Sequence, residues 1–179
     1  VATDDPIEPD TKDWTWVLEQ SCPEFGFDPT TIDVTELPEA IHRNTRGWFG
    51  ALDGPDATVR PDPTTWSRLE YACHVRDVHR IFRERVQLML GTDDPQFENW
   101  DQDATAVADR YGEQDPSIVV VELVEAAADV AGTYAGVGAE QWGRTGLRSN
   151  GSLFTVASIG RYHLHDVVHH LHDIGVETS

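Results

Sequence analysis

Lysine is almost absent: one residue, Lys12, accompanies 12 arginines, and these 13 bases face 32 acids for a formal net charge of −19 over 179 residues. A surface of that sign repels phosphate backbones and anionic headgroups, so neither nucleic acid nor a membrane is an expected partner. Cysteine is scarce too, and Cys22 and Cys73 are too few and too far apart for a disulfide framework. No run approaches the roughly 20 apolar residues of a membrane span, and the opening "VATDDPIEPD" lacks the charged and apolar regions of a secretion signal, so a cytoplasmic location is expected. What is present, 39% hydrophobic residues and six tryptophans, fits one globular domain with a core of its own.

Residues 1–32 carry Pro6, Pro9, Pro23 and Pro29 among acids and aromatics and read as an irregular arm packed on the body through Trp14 and Trp16. Within it, "SCPEFGF" resembles half of a zinc knuckle, but Phe25 stands where the second cysteine belongs, so no closed four-ligand site is expected there. A first helix follows the capping-box spacing of Asp33 and Glu36 and runs to about residue 52, with Leu37, Ile41, Trp48, Phe49 and Leu52 on one side. A second begins at the Ser67–Glu70 box and ends at Gly91. Residues 91–115 form a long connection that Phe97, Trp100 and Tyr111 mark as ordered. A third helix opens with Asp115 as cap and Pro116 at its first position, and a fourth spans from about Thr155 to Gly175. Amphipathic helices without alternating strands or repeats predict an all-α fold, a four-helix bundle over residues 33–175.

The fourth helix, "RYHLHDVVHHLHDI", places five histidines between residues 163 and 172. At about 100° per residue, His165, His169 and His172 fall within about 60° of one another beside the apolar arc of Leu164, Val168 and Leu171. His163 and His170 project elsewhere, toward solvent. A histidine pair at i and i+4, as in "HDVVH", can offer two nitrogens to one metal, and His74 on the second helix stands ready as a third ligand or as a core-edge histidine bonded to a carboxylate. His79 reads as a boundary residue, His42 as exposed, and Cys73 as a small core residue pointing away from His74.

These motifs carry a resemblance. "WSRLEYACHVRDV" and "RYHLHDVVHHLHD", in this order and about 90 residues apart, resemble the DinB-like superfamily of metal-binding four-helix bundles over about residues 35–175. The resemblance implies His74, His165 and His169 as metal ligands. It leaves His172 as a pocket residue, with Asp77 and Asp166 as carboxylates that orient an imidazole.

Three histidines on one ion leave coordination positions open, as at a catalytic metal. One divalent ion is expected, zinc first, with nickel, iron or manganese also suited to imidazole. Relatives of this kind include transferases and isomerases that use mycothiol or bacillithiol, so the resemblance implies a thiol S-transferase or isomerase whose metal turns the thiol into a nucleophile. A hydrolase with metal-activated water and a non-enzymatic, metal-stabilised stress-response bundle are the alternatives. A small-molecule substrate is the expected partner, and a homodimer is left open. Arg161, one turn before His165, reads either as an anchor for an anionic group or as an ion-pair partner. Arg144 and Arg148 flank the helix entry and are candidates for the same anchoring purpose, and Trp100 and Asp101 are candidates for the pocket wall.

Overall fold

The computed structural model describes Ile7 and residues 14–24 and 26–176. The arm residues 1–6, 8–13 and Phe25 lie outside the described residues. Helix α1 spans Leu37–Leu52, α2 Arg68–Gly91, α3 Gln102–Ala108, α4 Pro116–Ala135 and α5 Val156–Asp173. The four long helices form the bundle. Both α4 and α5 pack on both α1 and α2, so the sequential pair α1 and α2 sits diagonally across it.

The helix starts follow from local chemistry. Ser67 caps α2 in a reciprocal box with Glu70, Asp115 caps α4 ahead of Pro116, and Thr155 caps α5 by accepting from the Ser158 backbone N–H. The expected box at Asp33 takes another form: Asp33 caps a 3₁₀ turn, Val34–Glu36, which leads into α1. The core gathers Leu37, Ile41 and Trp48 of α1 with Leu69, Val75, Val78, Val86 and Met89 of α2, Leu123 and Val130 of α4, and Ile159, Leu164 and Leu171 of α5. Phe49, expected on the inner side of α1, is exposed, because Trp48 already occupies the inward position and its neighbour points about 100° away. No helix among the described residues is long and apolar enough to cross a membrane.

Both long connections hold structure that the periodicity does not announce. The first contains α3 and the two-residue strand β1, Gln96–Phe97; the second contains β2, Thr145–Arg148, and β3, Leu153–Thr155. These strands form one small sheet in the order β1-β2-β3, with β1 parallel and β3 antiparallel to β2. Strands of two to four residues are too short to display alternation. The sheet ties the segment before Trp100 to the segment that enters α5.

On the other side of α5 lies the arm. A 3₁₀ helix, Trp14–Leu18, and the loop through Cys22 pack there, with Val17 and Cys22 fully buried. Helix α5 is therefore sheathed on two flanks, by α2 and by the arm.

Candidate metal centre

Two groups of ligand-type side chains converge on α5. In the first, His74, Asp166 and His170 each bring a ligand atom within 4.8 Å of the others. His74 and His170 meet edge to face, ring centroids 4.6 Å apart. In the second, Cys22, His165 and His169 do the same.

The set implied by resemblance is thus divided. His74 does not converge with His165 and His169; it meets the pair one residue further along. Asp166 and His170 are also spaced i, i+4 and so share a face of α5, about 100° around from His165. The helical projection placed His163 and His170 toward solvent because it did not know that both flanks are covered. His163 is fully buried, and the His170 side chain is 14% exposed.

His74 has both ring nitrogens buried without a hydrogen-bond partner. Such a group is costly unless something satisfies it, and a cation on the lone pair of one nitrogen would meet the acceptor half of that need. Burial, reinforced by His170, holds its pKa well below the ordinary histidine value, so the ring is neutral with a lone pair to give. His170 is oriented from behind: its Nδ1 lies 3.0 Å from Asp173 Oδ2, and with the proton on that nitrogen Nε2 keeps its lone pair on the side of Asp166, 3.6 Å away. Burial raises the Asp166 carboxyl above the usual range, a cost that a bound cation offsets. Two imidazoles and a carboxylate are a donor set suited to zinc and the neighbouring divalent metals.

Aromatic rings wall the cluster. Trp100 lies flat on His74 with 5.4 Å between centroids, and its Nε1 donates to Thr105 Oγ1 at 2.8 Å, fixing the indole to α3. Trp66 tilts against His74 at 5.4 Å, and Tyr71 against His170 at 5.5 Å. Beyond Trp66 opens a cavity of about 380 Å³ lined by Arg60, Glu70, Arg110 and Tyr111.

The other expected site residues lie elsewhere. Asp77 accepts from Arg76, Arg80 and the Tyr111 hydroxyl rather than orienting an imidazole. Arg161 donates to the Ile32 carbonyl and secures the arm. Arg148 is buried on the rings of Phe154 and Tyr162 and donates to Asn150 and Ser152, which serves the hairpin. Arg144 donates to the carbonyls of Met89 and Thr92. His172 is exposed and belongs to neither cluster. His79, expected at a boundary, is fully buried, with Nδ1 2.9 Å from Nε2 of His163. The sequence reading sets Cys22 aside with the zinc-knuckle likeness and gives no place beside His74 to His170 or its partner Asp173. The i, i+3 spacing of His170 and Asp173 was the available sign.

The family model described as the DinB superfamily matches residues 39–174. The chain belongs to the DinB superfamily. Among solved structures, this DinB chain is similar to YfiT from Bacillus subtilis, described as a probable metal-dependent hydrolase with an unusual four-helix-bundle topology, at 17% identity and a TM-score of 0.71 over 80% of this chain and 86% of that one. It is also similar to a mycothiol-dependent maleylpyruvate isomerase, at 12% identity and a TM-score of 0.64 over 84% of this chain and 64% of that one. At these identities the likeness shows the DinB fold. None of the curated proteins compared matches the sequence.

Proposed function

We propose that this chain is a metal-dependent enzyme whose divalent ion is held by His74, Asp166 and His170, and that it acts on a small molecule with a low-molecular-weight thiol as co-substrate. The observation that carries the metal reading is the buried His74 ring, with neither nitrogen hydrogen-bonded, turned toward a carboxylate and a second imidazole. Three protein donors with Asp166 30% and His170 14% exposed favour an ion that meets solvent and substrate over a closed structural one. A divalent ion there lowers the pKa of a bound thiol and so supplies a thiolate nucleophile.

The chain's own residues do the rest. Asp173 holds His170 in one tautomer, Trp100 and Trp66 keep water from His74, and Tyr71 closes the side next to His170. The thiol reading draws on the likeness to a mycothiol-dependent isomerase. The likeness to a probable metal-dependent hydrolase supports metal-activated water as the second reading.

Cobalt substitution tests both. Millimolar thiol added to the cobalt form should produce a new sulfur-to-cobalt charge-transfer band, and an electrophilic acceptor should then be consumed. Both effects should vanish in His170→Ala. Thiol-independent cleavage of an activated ester with no new band would replace the thiol reading by the hydrolytic one. Unchanged cobalt binding in both His74→Ala and His170→Ala would overturn the site.

A further inference from the structure

The second cluster has a different character from the first. Cys22, on the arm itself, is fully buried, His165 on α5 beneath it is 3% exposed, and Trp14 of the arm lies beside the ring of His169 at 5.1 Å and that of His165 at 6.0 Å. The loop that presents the thiol is closed by its own backbone: Cys22 N donates to the Phe27 carbonyl at 2.8 Å, and Gly26 N donates to the Cys22 carbonyl at 2.7 Å. Gly26 adopts φ +74°, which a residue with a side chain rarely tolerates, and so allows the tight return. Two carboxylates reach His169 Nε2, Asp173 at 3.5 Å and Glu24, two residues after Cys22, at 3.6 Å; Asp173 is already engaged by His170 Nδ1, which leaves Glu24 as the carboxylate free to complete the cluster.

We propose that Cys22, His165 and His169 form a second, structural metal site for a zinc-type divalent cation, with Glu24 as the fourth ligand, and that this site fastens the arm to α5. Sulfur, two imidazoles and a carboxylate make a tetrahedral set of the kind zinc takes. In that geometry ligand atoms stand about 3.3–3.8 Å apart, so the Cys22, His165 and His169 donors, already within 4.8 Å of one another, close by small side-chain rotations, and the exposed Glu24 side chain swings in beside His169. The charges balance: thiolate and carboxylate neutralise the dication, and the thiol proton passes to the buffer on binding. Burial of Cys22 and His165 excludes substrate, so the site holds structure rather than performing a reaction. The ligands proposed here are not those of the proposed enzymatic site, although Asp173 touches both His169 and His170, so Cys22→Ser and His165→Gln, which leave Asp173 and His170 in place, are the variants that separate the two.

The test is a titration of the chelator-treated protein, arm included, with Co²⁺, followed in the near ultraviolet. Wild type should bind about two ions per chain with a thiolate-to-cobalt band present before any thiol is added. Cys22→Ser should lose the band and one ion, His165→Gln should lose the same ion, and His170→Ala should keep the band while losing the other. Iodoacetamide mapped by mass spectrometry on wild type needs no variant to fold: zinc should slow alkylation of Cys22 about tenfold or more, while Cys73 reports global opening. A cobalt form without the thiolate band, or alkylation of Cys22 at the same rate with and without zinc, would overturn the proposal. Loss of ion binding in His170→Ala with the band retained in wild type tells the two sites apart.

Discussion

His74 and Trp100 are stacked with their planes 4° apart, although α2 carries one and a long connection carries the other. The indole is the lid on an imidazole whose two nitrogens are both buried without a hydrogen-bond partner. Trp100→Ala should weaken metal binding by about ten- to a hundredfold, the range for groups that hold ligands in place. Cobalt should quench tryptophan fluorescence in wild type and quench it less in Trp100→Phe. Equal quenching and equal affinity would show that the stack does not support the metal.

The Tyr134 hydroxyl lies 3.1 Å from His163 Nδ1, whose Nε2 meets His79, and this buried chain should make the fold acid-sensitive. Burial lowers the His79 pKa to about 3 and that of His163 well below the ordinary value, the latter with help from His79. Between pH 3 and about 6.5 the unfolded chain binds protons that the folded chain refuses, so stability rises with pH and is lost as pH falls through that window. Each group contributes at most about 1.4 kcal/mol per pH unit. In chelator, to keep metal release out of the measurement, the double variant His79→Leu/His163→Leu should show a shallower fall of the urea midpoint below pH 6. An unchanged slope would assign the acid sensitivity to other groups.

Ser67 and Glu70 set where α2 begins, about two turns before His74. Ser67 is fully buried and both halves of the box are made, with Arg60 closing on Glu70 from outside. Ser67→Ala should cost about 1–2 kcal/mol by chemical denaturation. A loss below about 0.3 kcal/mol would mean that the Arg60 contact suffices.

Gly160 lets α5 approach its neighbours: a Cβ there would stand 2.6 Å from Leu37 Cδ1 and 3.2 Å from the Tyr134 ring. Gly160→Ala should destabilise by about 1–3 kcal/mol through overpacking, although alanine is the better helix former. A stabilised variant would show that Leu37 can turn aside.

The bundle was legible because capping pairs and apolar spacing are local. Ser67 with Glu70, Asp115 with Pro116 and Thr155 each mark a helix start in the sequence and in the structure. The sheet was not, since β1 forms only by pairing Gln96 with Leu147, a partner fifty-one residues away. The candidate site was half legible. The sequence points to His74, to Trp100 and to the histidine-rich helix that the structure brings together, but α5 carries two i, i+4 pairs one residue apart, His165 with His169 and Asp166 with His170, and spacing alone cannot choose between them. Which pair faces α2 depends on how the helix is rolled in the bundle, and that is decided by tertiary packing against Leu37, Tyr134 and the arm.

The β1–β2 pairing has a consequence for anyone who would rebuild this pocket. Ser149 N donates to the Phe97 carbonyl, and the Ser149 hydroxyl accepts from Asn99 N, one residue before Trp100. The lid over His74 is therefore stitched to the strand pair that launches α5 with Asp166 and His170. The two connections behave as one part: a loop graft that exchanged either alone would transfer a lid without its hinge post, and shortening one would have to be matched in the other.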